Sequence, residues 1–225
     1  MWDSLAFCQI SGVSKNGYDT RKTCLLDTCA VSDALDKLNL RGAVWGLGPL
    51  TVRRRVPGRG VTVSLGRPLK GTPKQHLGVG AILAAHEGDI IVVEHRGRLD
   101  TAGWGGLLSR SAVKKGVAAV VIDGACCDVD ECIELGLPIY ARQPVPVTAR
   151  GRAVEHSFNE AIVICDVVVK PSDLVLADGN GVVFIDAVAA DDVILAAEEI
   201  FAREQFMAGA IDRGRSVGEV MDAEY

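Results

Sequence analysis

Two short loops carry the residue types whose chemistry stands out in this sequence, and the first is rich in glycine. Residues 103–109 read Gly-Trp-Gly-Gly-Leu-Leu-Ser, and a helical pattern begins inside them. Glycine lets the backbone approach a ligand closely, and the amides of a first helical turn have no partner within the helix. The loop therefore predicts a site for a carboxylate or a phosphate. A tight turn without a ligand is the alternative, because neither the Rossmann nor the P-loop glycine pattern occurs in the chain.

The second loop, residues 123–128, reads Asp-Gly-Ala-Cys-Cys-Asp and follows a strongly apolar segment. Its last residue, Asp128, has the carboxylate oxygens that hard divalent cations prefer. The residues by themselves favour a purely structural interpretation. Asp128 followed three residues later by Glu131 is also the pattern of a helix N-cap with a capping box. The two roles do not exclude each other.

Both loops sit where a parallel sheet would gather them. Buried strands are predicted at residues 90–94, 117–123 and 138–142, with helices at 107–115 and 128–135 between them. Gly116 and Gly136 follow these helices, as expected of C-terminal caps. Strands and helices that alternate with short loops predict a parallel, right-handed βαβαβ core. Adjacent parallel strands place their carboxyl-end loops side by side, so we expect the two loops to meet.

The flanking segments complete an α/β fold with a single domain at residues 1–211 and a loosely held C-terminal tail at 212–225. Apolar residues spaced as on one face of a helix predict a helix at 31–40, with Ser32 and Asp33 at its start. A strand at 59–65 and a short helix at 77–85 follow. Strands are predicted at 162–169, 173–178 and 182–185, the last two joined by an Asp-Gly-Asn-Gly hairpin turn, and a helix at 192–208 comes after them.

Composition narrows the function classes. The 225 residues are 48% hydrophobic, and no apolar run approaches the roughly 20 residues of a membrane span. A net charge of −5 argues against a nucleic-acid partner, and Arg53, Arg54 and Arg55 are expected on a solvated or subunit-facing edge. The N-terminal residues lack the pattern of a secretory signal, so we expect a cytoplasmic protein. Seven cysteines without a C-x-x-C pair indicate reduced thiols rather than disulfides or zinc.

The chain resembles the family of 4-hydroxy-4-methyl-2-oxoglutarate aldolases, which includes the regulators of ribonuclease E activity. Seven segments in matching order carry the resemblance: Val-Ser-Asp-Ala-Leu from residue 31, Gly-Val-Thr-Val from 60, Gly-Asp-Ile-Ile-Val-Val from 88, Trp-Gly-Gly-Leu-Leu-Ser from 104, Gly-Val-Ala-Ala-Val-Val-Ile-Asp-Gly-Ala from 116, Leu-Gly-Leu-Pro-Ile-Tyr-Ala-Arg from 135 and Asp-Leu-Val-Leu-Ala-Asp from 173. They run nearly from end to end of the chain. The resemblance implies the α/β fold of these aldolases and ribonuclease regulators.

This resemblance also implies a function. It predicts a carbon–carbon lyase that depends on Mg²⁺ or Mn²⁺ and cleaves or decarboxylates a 2-oxo acid. Carried over to this chain, the backbone amides of Gly105, Gly106, Leu107 and Leu108 bind the substrate, and Asp128 binds the metal. A carboxylate from the C-terminal helix of a neighbouring subunit joins the site, for which Glu204 is the first candidate and Glu199 the second. The family implies a homotrimer or hexamer. The net charge and the short apolar runs argue against a nucleic-acid or membrane partner.

One position departs from the family pattern, which is a glycine, twenty residues and then Arg-Asp. Gly106 and Asp128 are in register, but Cys127 stands where the arginine is expected. A thiol cannot supply the guanidinium's fork of donors to a substrate carboxylate. The residue is then a remnant of lost catalysis, part of a pocket with another substrate, or itself a nucleophile or acid/base. Ordinary aldolase activity despite the change is the remaining alternative. In the second case Arg110 or Arg142 is a candidate to supply the missing positive charge.

Two other functions stay open beside the lyase. One is a non-catalytic regulator that binds a protein partner, and the other is a biosynthetic enzyme that uses the same pocket for dehydration or isomerisation. Trp104 is expected to pack the loop rather than bind substrate. The four histidines are scattered along the sequence and are expected at the surface or in packing roles: His76, His86, His95 and His156.

Overall fold

A mixed β-sheet forms the centre of the protein. The computed structural model describes residues 23–68 and 76–224. Its strands are β1 (Ala43–Val44), β2 (Gly48–Pro49), β3 (Val56–Gly66), β4 (Ile90–Ala102), β5 (Ala119–Cys126), β6 (Ile139–Pro144), β7 (Val154–Phe158), β8 (Ile162–Ile164), β9 (Val167–Val169), β10 (Leu174–Ala177) and β11 (Val182–Ile185). Its helices are α1 (Thr28–Lys37), α2 (Val79–Ala84), α3 (Gly106–Lys115), α4 (Val129–Glu134), α5 (Ala190–Asp212) and α6 (Val217–Glu224).

The parallel core predicted from the sequence is confirmed. Within the described residues nine strands share one sheet, in the order β1-β11-β10-β3-β4-β5-β6-β2, with β7 also paired to β3. The pairs β3–β4, β4–β5 and β5–β6 are parallel, and α2, α3 and α4 are the crossovers between them. The helix α3 ends before Gly116, whose φ of 81° is the left-handed conformation expected of a glycine cap. The carboxyl ends of β4 and β5 therefore lie side by side.

Apolar residues fill both faces of the sheet because strand side chains alternate between them. On one face Ile91, Val120 and Ile122 pack under α2, α3 and α4. On the other face Ile90, Val92 and Val121 pack against the separate β8–β9 hairpin. Strands covered on both sides need no polar alternation, which explains their nearly continuous apolar sequences.

A row of polar side chains crosses the carboxyl ends of β3 to β6 on the hairpin's side of the sheet. Glu94 accepts a hydrogen bond from the Ser64 hydroxyl. Asp123 accepts one from Arg142 Nε at 2.6 Å and one from the Cys165 amide at 3.3 Å. The carboxylate of Asp123 is only 5% exposed, so these contacts replace the water that it loses. The row fastens the hairpin to the sheet and holds Arg142 on that face.

Several element boundaries differ from the sequence prediction for identifiable reasons. The first helix begins at Thr28 rather than residue 31, because the Asp27 side chain accepts the Ala30 amide at 2.8 Å and serves as the N-cap. The single strand predicted at 162–169 is a hairpin, because the chain turns at Cys165, which has a φ of 55°. The hairpin of β10 and β11 is confirmed, and it closes with a hydrogen bond from the Asp178 amide to Gly181 O at 3.0 Å.

The prediction of a loosely held tail at 212–225 is wrong for the described part of that segment. The chain turns after α5 and forms α6, and Val220 is fully buried against Met207 and Ala210 of α5. Residues 1–22 of the predicted domain lie outside the described residues. Among the described residues, no helix combines the length and the apolar character that crossing a bilayer requires.

We expect Asp123→Ala to lower the free energy of unfolding by about 2–3 kcal/mol, because it leaves the partly buried Arg142 guanidinium without its partner. Urea denaturation followed by circular dichroism measures the change. Asp36→Ala, which removes an exposed carboxylate from α1, is the control and should cost under about 0.5 kcal/mol. Equal losses for the two variants would show that the polar row does not stabilise the sheet.

Candidate active site between two parallel strands

The glycine loop delivers the chain from β4 into the first turn of α3. Gly105 is the N-cap residue and makes no side-chain cap, and the amide of the next residue, Gly106, bonds to a carboxylate of the second loop. The amides of Leu107 and Leu108 lie in this turn and have no acceptor within the helix. The Leu107 side chain is 84% exposed. Binding of a carboxylate by these two amides stays a prediction.

Buried hydrogen bonds fix the loop from beneath. The Trp104 side chain is 2% exposed, and its Nε1 donates to Ser109 Oγ at 2.9 Å. Ser109 Oγ in turn donates to Gly105 O at 3.0 Å, and Cys132 Sγ lies 3.1 Å from the same hydroxyl. The Gly103 amide donates to a β5 carbonyl at 2.8 Å. The prediction that Trp104 packs the loop is confirmed.

A buried histidine supports the same loop from the β4 side. His95 is 1% exposed, and its Nε2 lies 2.9 Å from Thr101 O. Burial lowers the pKa of His95, which favours the neutral ring. Its ring fills the space beside Gly103 and Gly124, where a β-carbon would lie 3.0 Å and 2.6 Å from ring atoms. The packing role predicted for the histidines is confirmed here, and the other three are exposed: His76, His86 and His156.

The side chain of Asp128 reaches from the end of β5 to the start of α3. Its Oδ2 accepts the Gly106 amide at 2.8 Å. Its backbone has a φ of 55°, a left-handed conformation that aspartate tolerates better than most residues. In this conformation the carboxylate makes no capping bond to α4, so the predicted capping box with Glu131 is wrong. The side chain bridges two helices instead of closing its own.

Glu131 is a site residue that the sequence analysis assigned to the cap. A β-carbon on Gly106 would lie 2.0 Å from Glu131 Oε2 and 3.2 Å from the Asp128 β-carbon. A β-carbon on Gly105 would lie 2.7 Å from Cys127 Sγ and 2.8 Å from Asp128 Oδ2. Two carboxylates therefore rest directly on the glycine loop. The signal in the sequence was their spacing of three residues, which places both in the first turn of α4.

Cys127 is half-buried between the two loops. Its amide donates to Trp104 O at 3.0 Å, and its thiol lies 3.3 Å from Asp128 Oδ2. Burial, and next the hydrogen bond to Asp128, raise the pKa of Cys127 to about 12. The thiol is thus protonated at neutral pH in the metal-free protein. This environment disfavours the thiolate that a nucleophile requires.

The two arginines considered as substitutes lie in different places. Arg110, on α3, donates to Glu131 Oε1 through Nη2 at 2.6 Å and Nε at 3.2 Å. Arg142 lies with Asp123 and Cys165 on the opposite face of the sheet. The structure therefore brings Arg110 to the rim of the glycine loop and holds Arg142 away from it.

The predicted carboxylates of the C-terminal helix do not join the site within one chain. Glu204 lines a groove between α1 and α5 together with Asp33 and Arg203. Burial, and next the nearby Asp27 and Asp33, raise the pKa of Glu204. Glu199 bonds to Lys37 at 3.2 Å. A role for either residue requires a second subunit and stays a prediction.

The donor set suits a hard cation held by few protein ligands. The exposed carboxylate of Asp128 and the neighbouring carboxylate of Glu131 offer oxygen ligands on one side of the loop. Within residues 23–68 and 76–224, no group of three or more His, Cys, Asp or Glu side chains forms a complete metal site. Mg²⁺ commonly binds through one or two carboxylates, with water and substrate as its other ligands. The residues present fit that mode.

Comparison with known proteins decides the family. A family model described as "RraA-like: Aldolase/RraA" matches residues 28–184, which is more than half of the chain. The chain belongs to the RraA-like family. The match covers β1 to β10, the glycine loop and Asp128, so the site described above lies wholly inside it.

Two curated sequences and one crystal structure are similar to this RraA-like protein. An uncharacterized protein of Methanocaldococcus jannaschii is 35% identical over 128 residues, which are 57% of this chain and 61% of that protein. A Halalkalibacterium halodurans protein, named "Putative 4-hydroxy-4-methyl-2-oxoglutarate aldolase", is 29% identical over 83% of this chain and 85% of its own length. The crystal structure of an uncharacterized Pseudomonas syringae protein, 27% identical, superposes with a TM-score of 0.81 over 89% of this chain and 95% of that one. The single α/β domain is thus that of the family.

We expect Gly105→Ala to disable the site while leaving the fold intact. The new β-carbon would displace the ends of two side chains, Cys127 Sγ and Asp128 Oδ2, rather than backbone atoms. The unfolding free energy should fall by under about 1–2 kcal/mol. Mg²⁺ binding, measured by isothermal titration calorimetry, should weaken clearly. Gly218→Ala, where a β-carbon meets open space, is the control. Unchanged Mg²⁺ binding in Gly105→Ala would contradict the close contact of loop and carboxylate.

Cys127 in the metal-free protein should react with iodoacetamide at pH 8 at least about tenfold more slowly than glutathione, because its raised pKa leaves very little thiolate. Fragment-level mass spectrometry separates Cys127 from its neighbours Cys126 and Cys132. A rate equal to that of glutathione would restore the nucleophile hypothesis.

Proposed function

We propose that this protein is a divalent-metal-dependent carbon–carbon lyase, of the aldolase or decarboxylase type, that acts on a carboxylate or 2-oxo acid. The observation that supports this most directly is the bond from the Gly106 amide to Asp128 Oδ2 at 2.8 Å. A carboxylate of this kind can hold a cation, and the helix amides beside it can hold an anion, which supports the proposal. A 2-oxo acid presents both the anionic group and the oxygen atoms that such a pair of sites would bind.

Each group of the site has a distinct role in this proposal. The amides of Leu107 and Leu108 bind the substrate carboxylate at the positive end of α3. Asp128 holds Mg²⁺ or Mn²⁺, and Glu131 adds a second carboxylate next to it. The bound cation would act as a Lewis acid and stabilise the negative charge that develops when a carbon–carbon bond breaks. Trp104 keeps the loop rigid, so these groups need little rearrangement during the reaction.

The thiol at position 127 suggests a diverged specificity. Loss of one charged contact to the transition state typically costs on the order of 10²–10³-fold in rate. We therefore infer that turnover of simple pyruvate-type substrates is slow unless another cation compensates. Dehydration or isomerisation of a related acid in the same pocket is the corresponding enzymatic alternative.

We also propose a homo-oligomer, a trimer or a hexamer, in which Glu204 of a neighbouring subunit approaches the site. Two exposed apolar side chains lie near the glycine loop: Leu83 is 71% exposed and Leu107 is 84% exposed. A homo-oligomer that covered these side chains would remove their apolar surface from water.

The same exposed side chains support a second candidate function, a non-catalytic regulator that binds another protein. Leu83 and Leu107 lie beside Val79 and Leu77 in a groove of about 440 Å³. An interaction protein has no need of the missing guanidinium, so Cys127 is neutral toward this function. Metal binding distinguishes the two candidates, because a pure interaction surface does not require Asp128 to hold a cation.

We expect the protein to release pyruvate slowly from oxaloacetate with Mg²⁺ or Mn²⁺, and Cys127→Arg to be faster by at least about tenfold because it restores a charged contact. A coupled assay with lactate dehydrogenase measures pyruvate. Asp128→Asn keeps the shape and the left-handed preference of the residue but should abolish metal-dependent turnover. If neither the natural protein nor Cys127→Arg exceeds the metal-only rate, the pocket has diverged beyond position 127, and the regulator or the other enzymatic reaction replaces lyase chemistry on pyruvate-type substrates.

A further inference from the structure

Arg110 presents a guanidinium at the rim of the glycine loop. It lies four residues after Gly106 on α3, and residues with this spacing share one helix face. Both contacts of Arg110 go to a single oxygen, Glu131 Oε1, at 2.6 Å and 3.2 Å. The other oxygen of this carboxylate, Oε2, is the atom turned toward Gly106. One carboxylate therefore links the guanidinium to the centre of the site.

The guanidinium keeps donors for a further partner. Arginine has five N–H donors, and the contacts to Glu131 use one on Nε and one on Nη2. In the described part of the chain Arg110 makes no other hydrogen bond, and its side chain is 55% exposed. Three of the five donors, among them both hydrogens of Nη1, thus have no hydrogen-bond partner among the described residues. These donors have the planar geometry that matches a carboxylate.

Other cations near the loop do not fit this role. Arg142 is on the opposite face of the sheet and bonded to Asp123. The buried ring of His95 has a lowered pKa and faces the interior. Lys114 and Lys115 lie in the last turn of α3, one turn or more beyond Arg110. Among the described cationic residues, Arg110 is the one whose charge reaches a carboxylate resting on the glycine loop.

We propose that Arg110 binds the substrate carboxylate and supplies the positive charge that Cys127 cannot provide. This inference rests on the proposed lyase function and names a specificity residue for it. Cys127 contacts Asp128 from the end of β5, and Arg110 contacts the neighbouring Glu131 from α3. The guanidinium on α3 thus makes the contact with the substrate carboxylate that the thiol at the end of β5 cannot make. The substrate class is a 2-oxo acid or related acid whose carboxylate reaches the exposed side of α3.

The charges of the site support this assignment. Asp128 and Glu131 are two carboxylates in contact with the loop, and they repel an anionic substrate when no cation is bound. A divalent cation together with Arg110 reverses the sign of the site, so an anion is then attracted. Without Arg110, the cation would only balance the two carboxylates, and the helix amides alone would attract the substrate.

Oxalate tests the inference directly, because this planar dianion has the shape and charge of the enolate of pyruvate. Its binding to the full chain with Mg²⁺ is measured by isothermal titration calorimetry. Arg110→Gln should raise the dissociation constant of oxalate by about tenfold, as expected for loss of a hydrogen-bonded charge contact. Lys114→Gln is the control, because it removes the same charge one helical turn away. It should change the dissociation constant of oxalate by under about twofold. Arg110→Lys should recover only part of the loss, because an ammonium lacks the fork.

A double-mutant cycle with Cys127→Arg separates a shared contact from a general charge effect. If Arg110 substitutes for position 127, Arg110→Gln should raise the dissociation constant of oxalate about tenfold in the natural background. In the Cys127→Arg background the same substitution should raise it by under about twofold. Equal effects in both backgrounds, or equal effects of Arg110→Gln and Lys114→Gln, would overturn the assignment. Binding of oxalate by Cys127→Arg but not by the natural protein would overturn it as well.

Failure of the proposed function gives a different result from failure of this inference. If the lyase proposal is wrong, neither the natural protein nor Cys127→Arg binds oxalate in the presence of Mg²⁺, and both ideas fall together. If only the inference is wrong, the natural protein binds oxalate and Arg110→Gln leaves that affinity unchanged. Thermal unfolding checks that each variant is folded. We expect little change in the unfolding midpoint, because the partly exposed pair of Arg110 and Glu131 contributes little stability.

Discussion

The hydrogen bond between the Gly106 amide and the Asp128 carboxylate joins the two strand ends on which the candidate site depends. Helix amides carry a partial positive charge, and Asp128 brings a formal negative charge against the first of them. The contact also accounts for the unusual backbone of Asp128, since a left-handed residue other than glycine costs on the order of 1–3 kcal/mol. A charge-assisted bond of this kind is strong enough to offset that strain. If it were lost, Asp128 could return to an ordinary cap on α4.

The architecture around this bond follows from the close approach of two loops. The parallel pair β4–β5 ends at one edge of the sheet, and the Gly103 amide bonds across it at 2.8 Å. Residues 105 and 106 have no space for a β-carbon, because the ends of Cys127, Asp128 and Glu131 occupy it. Trp104 and Ser109 then hold the loop from the buried side. Glycine is therefore required here by contact with other side chains rather than by a left-handed backbone.

The sequence predicted the fold better than the details of the site, and the reason is the range of the interactions involved. Apolar periodicity is local, so it located the parallel core and the hairpin of β10 and β11. The spacing of Asp128 and Glu131 suggested a local cap, but a tertiary contact with Gly106 outweighed it. Alternation puts Asp123 opposite to Ile122 along β5, but only the register of β5 and β6 shows that Arg142 shares the face of Asp123, so the sequence could not exclude Arg142 from the site. The helix α6 escaped prediction because one buried residue, Val220, anchors it.

The thiol at position 127 changes the charge of the site more than its shape. Cys127 fits between Trp104 O and Asp128, so the loop keeps its geometry without a guanidinium. What remains is a pair of carboxylates on the loop with one partly exposed arginine beside them. The Gly106 amide keeps Asp128 in its left-handed conformation, and Arg110 pairs with Glu131, so each carboxylate has one partner in the protein. In the proposed function a divalent cation would be held by the same two carboxylates. The net charge that an acid substrate would then meet depends on Arg110, because it is the guanidinium that remains beside the loop when position 127 is a thiol.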